Sequence, residues 1–207
     1  MITNETLNQK IPVINEVGTC IANLVPISHK ECDINLIAKL LSEWRNDNRN
    51  CFLTEFEVTE ESSLNWIENF WLSSNLQELF LVEIEDRYVG HYGFKNLTKN
   101  TVLLDNAIRG ESGGEAKLFY YVGLTLINWI FLNTSVRRID GSVFSDNIPA
   151  IMMNRQLGFK GWQKFNLKKT IVEDRISWEK TDKSNPDDQL RSVYEIHINR
   201  ENWNITE

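Results

Sequence analysis

The residues that first suggest chemistry form a glycine-rich turn, Arg109-Gly110-Glu111-Ser112-Gly113-Gly114. An apolar run at 101–108 precedes the turn, and residues 115–132 follow it with no proline and one glycine. This order predicts a strand, a turn and a helix. Backbone N–H groups at a helix start lack an intrahelical acceptor, and the helix dipole favours an anion there. Because glycines let the backbone approach a phosphate closely, we infer a pyrophosphate site.

The elements that would position this turn follow from hydrophobic periodicity and capping residues. Asp33 is a suitable N-cap for a helix over 34–46, and Thr59 caps a second helix that ends near Ser73. Two further helices are predicted at 115–132 and 148–156. Strands are predicted at 19–27, 78–85, 88–97, 101–108, 136–144, 159–165 and 192–198, with a loose lead-in at 1–17 and a loop at 180–189.

The spacing of these strands predicts how the sheet is assembled. The three runs between 78 and 108 are joined by tight turns, which is typical of an antiparallel meander. The strand at 136–144 follows a helix, so a right-handed crossover would place it parallel to the strand at 101–108. We therefore predict a mixed α/β, α+β-like fold with a mostly antiparallel central sheet. A lead-in at 1–18 would precede a single domain at 19–207.

Composition excludes several classes of protein. The net charge of −7 argues against a nucleic-acid partner, which would require a basic stripe. No run approaches the roughly 18 apolar residues of a membrane span, and the polar N-terminus has no apolar signal segment. The three cysteines, Cys20, Cys32 and Cys51, lack metal-ligand spacing and are expected to be reduced thiols of a cytoplasmic protein.

Two stretches resemble motifs of the GNAT superfamily of acyl-CoA N-acyltransferases. The acyl-CoA loop of that family follows the pattern Gln/Arg-x-x-Gly-x-Gly/Ala. The turn matches it at Arg109 and Gly114, with Ser112 in place of the first glycine. A second family pattern, Asn-x-x-Ala-(x)7-Gly-Phe, is matched at every fixed position, from Asn147 to Gly158-Phe159. The resemblance implies the GNAT fold and an acyl-CoA ligand.

A narrower likeness is to the branch that acetylates protein N-termini and amino sugars. That branch often ends its first helix with Trp-Arg-Asn, as Trp44, Arg45 and Asn46 do here. The stretch 104–110 is most similar to members that act on nucleotide-linked amino sugars. The resemblance implies that Trp44, Arg45 and Asn46 form part of the acceptor pocket, where an arginine could bind a phosphate or a carboxylate.

The resemblance also implies acetyl-CoA as the acyl donor and no metal. In this family the fourth and fifth strands splay apart, and the pantetheine arm lies in the gap. The implied contacts to the arm are Asn106, Ala107, Ile108 and Asn147, and those around the pyrophosphate are Arg109, Gly110, Ser112, Gly113 and Gly114. Many members carry a tyrosine that protonates the leaving thiolate. Asn154 occupies that position here and cannot serve as a general acid.

The implied reaction is attack of a neutral amine on a thioester, so a base that takes the amine proton is useful. We expect Asp105 to be this base, with His91 second and Glu83 third. An imidazole titrates in a suitable range. Strand alternation decides whether Asp105 or Asn106 faces the site, and the sequence leaves that choice open.

The first hypothesis is an N-acetyltransferase acting on a small-molecule amine, preferably an amino sugar and perhaps one linked to a nucleotide. The alternatives are a protein N-terminal acetyltransferase and a non-catalytic acyl-CoA-binding domain. A dinucleotide-binding oxidoreductase is excluded, because no Gly-x-Gly-x-x-Gly follows a first strand. No nucleic acid and no membrane partner is expected, and a homodimer remains open.

Overall fold

The computed structural model describes residues 9–28, 30, 32–182 and 190–204. Ten strands and four α-helices occur within these ranges. In chain order they are β1 (Ile11–Ile14), β2 (Cys20–Pro26), α1 (Ile34–Asp47), β3 (Thr54–Glu55), α2 (Glu60–Asn69), β4 (Glu78–Ile84), β5 (Arg87–Lys95), β6 (Thr101–Arg109), α3 (Leu118–Asn133), β7 (Arg138–Phe144), α4 (Ile148–Gln156), β8 (Lys160–Val172), β9 (Arg175–Lys180) and β10 (Leu190–Asn199).

All ten described strands belong to one sheet, in the order β1-β2-β4-β5-β6-β7-β10-β8-β9-β3. The β6–β7 pair is parallel, and the other described pairs are antiparallel. The predicted meander and the crossover through α3 are therefore confirmed, as is the mixed, mostly antiparallel fold class.

Helices cover both faces of the sheet, and successive side chains of β4 therefore pack into two different clusters. Phe80 and Val82 belong to the cluster on the α3 and α4 side, together with Leu126 of α3. Leu79 and Leu81 belong to the cluster that contains α1 and α2 residues. A strand buried on both faces is apolar throughout, which explains the nearly continuous apolar run of β4.

Two helix boundaries show how local chemistry sets an element. The predicted capping box at Thr59 is present: its hydroxyl accepts from the Ser62 N–H at 3.1 Å, and the Ser62 hydroxyl accepts from the Thr59 N–H at 2.9 Å. That helix ends at Asn69 and continues as a 3₁₀ turn at Trp71–Ser73. α3 begins at Leu118 rather than at residue 115, which leaves a longer irregular turn after β6.

The structure corrects the sequence-based elements in two places. The lead-in expected to be loose contains β1, which pairs with β2 at the sheet edge. Residues 160–180, expected to be one strand followed by polar chain, form a long hairpin whose turn holds Glu173 at φ +56°. Residues 1–8 of the lead-in and 183–189 of the expected loop lie outside the described residues.

No helix in the described ranges combines the length and apolarity needed to cross a bilayer. Within the same ranges, no group of three or more His, Cys, Asp or Glu side chains is placed to hold a metal ion.

Candidate active site

The central feature of the site is a gap between the two parallel strands. β6 and β7 pair only where Thr101–Leu103 lie against Arg138–Asp140. Beyond this point β7 continues along β10, and β6 remains paired with β5. Among the described strands, the edge of β6 that faces β7 therefore has no partner from Leu104 onward. A cleft of about 550 Å³ occupies the gap and is lined by residues 104–108 and 141–144.

A β-bulge in β6 shapes one wall of this cleft. The β5–β6 register shifts between His91 and Gly93, so that two residues of β6 lie opposite one residue of β5. Asn106 adopts φ +55°, a left-handed conformation that asparagine tolerates better than most residues. Both Asp105 and Asn106 line the cleft.

His91 contacts this bulge through its imidazole ring. Its Nδ1 lies 2.7 Å from the carbonyl oxygen of Asn106. A carbonyl can only accept, so Nδ1 carries the hydrogen and donates. The ring is 2% exposed and stacks on Trp44 with a centroid distance of 5.9 Å. Burial lowers the pKa of His91 to about 4. The imidazole is therefore neutral and weakly basic, which favours a positioning role over the base role considered above.

Asp105 is the carboxylate among the described residues that line the cleft. It forms an ion pair with Lys95 and accepts from the Asn106 side-chain amide at 3.0 Å. Glu83 is not a cleft residue. Its carboxylate is 11% exposed and pairs with Lys10 at 2.8 Å. The structure thus brings Asp105 and His91 to the cleft and leaves Glu83 elsewhere.

The Trp-Arg-Asn motif at the end of α1 divides into three roles. Trp44 is 1% exposed in the core and is not a cleft residue. Asn46 donates to the Val58 carbonyl at 2.8 Å and accepts from the Val58 N–H at 3.0 Å, so it fixes the α1–α2 connection. Arg45 lines the cleft. Of the three residues expected in an acceptor pocket, Arg45 lines the cleft, and the other two make supporting contacts outside it.

The opposite wall is formed by the start of α4. Asn147 caps this helix, with its Oδ1 accepting from the Ala150 N–H at 3.2 Å, and it also lines the cleft. Asn154 lies about two helical turns further on, lines the cleft and donates to the Ala150 carbonyl at 2.9 Å. Both residues therefore lie across the gap from the bulge.

The glycine-rich turn follows directly at the end of β6. Gly113 and Gly114 have φ of +131° and +68°, values suited to glycine. Within the described residues no acceptor is found for the backbone N–H groups of residues 112–117. These groups form a set of unpaired donors before α3, which is the chemistry of an anion site. Arg109 donates to the Gly113 carbonyl at 2.7 Å and so braces the turn.

The two acidic side chains of this segment are directed to other partners. Glu111 accepts from the Trp44 indole N–H at 3.3 Å, and Glu115 accepts from the Asn15 amide at 2.9 Å. Gly110 packs against Trp44 so closely that a Cβ atom there would lie 2.2 Å from the indole ring. The buried tryptophan thus orients both Gly110 and Glu111 and helps to define the turn.

Several site residues were missed by the sequence reasoning. Arg87 lies beside the turn, with a guanidinium nitrogen 3.5 Å from where a Gly113 Cβ would be. The meander register could have indicated this, because Gly90 lies opposite Arg109 and the start of β5 lies near the end of β6. The other missed residues that line the cleft are Lys95, Tyr92, Cys51, Trp66 and Arg175. The position of Arg175 depends on the long β8–β9 hairpin, which has no clear signal in the sequence.

Comparison with known proteins finds solved structures that have a similar fold. No family model matches the sequence, and no curated protein matches it. A GNAT-family acetyltransferase from Bacillus anthracis is similar in structure, with TM-score 0.64 and 16% identity, over 93% of this chain and 99% of that one. The Campylobacter jejuni N-acetyltransferase PseH, solved with acetyl coenzyme A, has TM-score 0.55 and 15% identity, over 87% and 99% of the two chains.

A third similar structure is RimL, a ribosomal L7/L12 alpha-N-protein acetyltransferase. It has TM-score 0.66 and 11% identity, over 92% of this chain and 94% of its own. The similarity extends across most of each chain. The chain therefore has the fold of the GNAT acetyltransferases.

Proposed function

We propose that this protein is an acetyl-CoA-dependent N-acetyltransferase that acetylates the primary amine of a small acceptor. The observation that carries the proposal is the continuity between the open edge of β6 and the turn of unpaired N–H groups that follows it. An extended arm with amide groups fits the first feature, and a pyrophosphate fits the second. CoA combines both in one molecule.

The residues present fit CoA in detail. The pyrophosphate would be held by the N–H groups of residues 112–117 and by the guanidinium of Arg87, which lies beside Gly113. Charge-assisted hydrogen bonds of this kind are strong. The arm would lie between the bulge of β6 and Asn147 and Asn154 of the α4 segment. Glu111 and Glu115 do not oppose this arrangement, because both are directed to other side chains.

Acetyl-CoA supplies a thioester, and transfer forms an amide bond as the carbon–sulfur bond breaks and CoA leaves as its thiol. The attacking amine loses one proton and the leaving sulfur gains one. We assign Asp105 as the group that takes the amine proton, because it is the carboxylate lining the described part of the cleft. His91 would act through Asn106, by holding the bulge in place.

The proton for the departing sulfur has a different source from the tyrosine of many family members. Asn154 occupies that position, and its amide donates to the Ala150 carbonyl. An amide is not a general acid, so we assign this proton to water in the open cleft. Cys51 also lines the cleft, but desolvation raises the pKa of its thiol. A protonated thiol is a weak nucleophile, which favours direct attack by the amine in a ternary complex.

We further propose an amino sugar as the acceptor, including sugars linked to a nucleotide. Arg45 and the aromatic rings of Phe52, Phe56 and Trp66 give this part of the cleft a polar cation beside apolar faces. This is the usual combination in sites that bind small polar molecules. The protein N-terminal acetyltransferase remains the second candidate, supported by the fold shared with RimL.

Two measurements test the proposed function. Acetyl-CoA at about 100 times its Kd should stabilise the protein by about 2.7 kcal/mol, and so raise the Tm by roughly 5–10 °C. Thiol release from acetyl-CoA should then depend on an added amine, measured across amino sugars, peptides and polyamines. The absence of a Tm shift would contradict every acyl-CoA hypothesis. A Tm shift without amine-dependent thiol release would favour the non-catalytic binding domain.

A further inference from the structure

The charge of the cleft is opposite to that of the protein. Among the described residues that line the cleft, the permanently charged side chains are Arg45, Lys95, Arg175 and Asp105. His91 is also present, but its low pKa keeps it neutral at physiological pH. The cleft therefore carries three cations and one anion, in a protein whose formal net charge is −7. A local cationic cleft in an acidic protein selects for negatively charged ligands.

Lys95 and Asp105 neutralise each other as an ion pair. The unbalanced charge therefore belongs to Arg45 and Arg175, which both contact one aromatic residue. The guanidinium carbon of Arg45 is 5.2 Å from the centroid of the Phe56 ring, and that of Arg175 is 4.6 Å from it. Two like charges beside the same ring repel each other, and an anion that contacted both would relieve the repulsion.

Both guanidinium groups retain unused hydrogen-bond donors. Arg45 donates through Nη2 to the Thr54 carbonyl at 3.0 Å and stacks on Phe52 at 3.9 Å. For Arg175 no hydrogen-bond acceptor and no ion pair occurs within the described residues. A guanidinium has five N–H donors in a planar fork that matches phosphate and carboxylate oxygens. The aromatic contacts hold both groups in place without consuming these donors.

Desolvation lowers the pKa of Arg45, the positive charge of Arg175 lowers it further, and the negative charge of Asp105 raises it. The pKa of Arg45 therefore depends on the charges of both Arg175 and Asp105. Because Arg45, Arg175 and Asp105 line the same cleft, we expect an acceptor bound at the arginines to place its amine near Asp105.

We propose that the acceptor carries an anionic group, a phosphate or a carboxylate, which is bound by Arg45 and Arg175 while its amine lies at Asp105. This inference rests on the proposed function and narrows its substrate class. It also assigns a functional role to the β8–β9 hairpin, because Arg175 belongs to that hairpin and lines the cleft. It also disfavours polyamine acceptors, whose positive charges the two arginines would repel.

The CoA phosphates are expected at a different place, at the turn after β6 that contains Arg109 and lies beside Arg87. The arginine pair instead lies among residues of the α1–α2 connection and the hairpin, including Phe52 and Phe56. Saturation with CoA should therefore leave the arginine pair available to a second anionic molecule.

The test compares matched acceptors on the wild-type protein and on single variants. Glucosamine, glucosamine 6-phosphate and glucosaminate share an amine and differ in their anionic group, and spermidine is the cationic comparison. Thiol release from acetyl-CoA gives kcat and KM for each. We expect kcat/KM for at least one anionic acceptor to exceed that for glucosamine by tenfold or more. A comparison of glucosamine 6-phosphate with glucosaminate shows which anion is preferred.

Arg175→Gln should raise the KM of the preferred anionic acceptor by about tenfold to a hundredfold, as expected for loss of a charge-assisted hydrogen bond. The kcat, the KM of acetyl-CoA and the values for glucosamine should stay within about twofold. Lys164→Gln removes the same charge from an exposed position of β8 outside the cleft and is the matched control. Because Arg175 is exposed, the Arg175→Gln variant should fold normally.

Direct binding separates the two proposals. The phosphate-bearing sugar is titrated calorimetrically into protein saturated with CoA, with glucosamine as the reference. Preferential binding that Arg175→Gln abolishes supports the anionic pocket, even if no acetyl transfer is detected and the proposed function fails. The pocket proposal is overturned if transfer occurs with no preference for the anionic sugars. Equal binding of both sugars, or an Arg175→Gln variant that behaves like Lys164→Gln, overturns it as well.

Discussion

Asp105 and Asp140 are aspartates on neighbouring strands with almost the same exposure, 34% and 33%, and each has a cationic partner. Only Asp105 lines the cleft. Position, rather than burial or charge pairing, therefore distinguishes the proposed base from a structural carboxylate here.

Asp105→Asn should lower kcat by about 10²–10⁴-fold, the usual contribution of a general base. The KM of acetyl-CoA should change little. Steady-state thiol release at several fixed pH values between 6 and 9.5 measures both parameters. Asp140→Asn is the matched control and should keep the wild-type kcat. Equal kcat values for the two variants would remove Asp105 from the mechanism.

Two buried titratable groups oppose each other in their effect on stability. Burial lowers the pKa of His91 to about 4, and burial raises the pKa of Glu78 to about 7. Between pH 4 and 6.5 the unfolded state holds the extra proton at His91, so acid destabilises the fold through this group. Between pH 4.5 and 7 the folded state holds the extra proton at Glu78, so acid stabilises the fold. The two effects nearly cancel between pH 4.5 and 6.5.

Glu78→Gln should expose the contribution of His91. Relative to wild type, its free energy of unfolding should fall by about 1.4 kcal/mol for each unit that the pH is lowered from 6.5 to 4.5. Urea unfolding at fixed pH steps measures this slope. The exposed Glu179→Gln is the control and should follow the wild-type curve. A slope equal to that of wild type would mean that Glu78 ionises normally in the folded protein.

At the scale of elements, the bulge of β6 determines the site, and Asn106 at φ +55° determines the bulge. Asn106→Gly should preserve the backbone, because glycine adopts positive φ freely. Asn106→Val should cost about 1–2 kcal/mol in unfolding free energy and should lower kcat at least tenfold as the wall of the cleft shifts. Urea unfolding and thiol release are measured on the same preparations.

Asn96 provides the control for this pair, since it has nearly the same conformation, φ +56°, and lies outside the cleft. Asn96→Val should cost a similar free energy of unfolding and leave kcat unchanged. If Asn106→Val retained full activity, or if Asn96→Val lost it to the same extent, the bulge would not be what shapes the site.

The elements that could be predicted from the sequence are those whose signals lie close together in the chain. The Thr59 capping box, the α4 helix after Asn147 and the meander were predicted correctly because caps, turns and periodicity lie within a few residues of one another. The GNAT resemblance implied the splayed strands, and the fold confirms them. The β8–β9 hairpin was missed because its turn, Glu173-Asp174, lacks the usual Asn-Gly signal.

The site was less predictable because it depends on contacts across the sheet. Sequence alone could not indicate that His91 would donate to the Asn106 carbonyl, or that Trp44 would fill the space beside Gly110. These pairs are 15 and 66 residues apart in the chain. Arg175 reaches the cleft through long-range pairing of the hairpin with β3 and β10. Such placements follow from packing, which no local pattern records.

At the scale of the whole molecule, the ten described strands form one continuous sheet. The edge strand β1 belongs to it, although the sequence suggested a loose segment. Val13 of β1 is fully buried in the cluster shared with α3, while its neighbour Ile14 is 42% exposed. Because one continuous sheet joins the hydrophobic clusters, we propose that the described residues from β1 to β10 unfold as one cooperative unit.

Val13→Ala tests this proposal. Loss of two buried methyl groups should lower the free energy of unfolding by about 1–2.5 kcal/mol. Far-UV circular dichroism and tryptophan fluorescence should follow one coincident urea transition, shifted as a whole. Ile14→Ala, on the same strand and half exposed, should cost less than half as much. A Val13→Ala midpoint equal to wild type would mean that β1 frays independently, and two separated transitions would mean that the chain holds more than one folding unit.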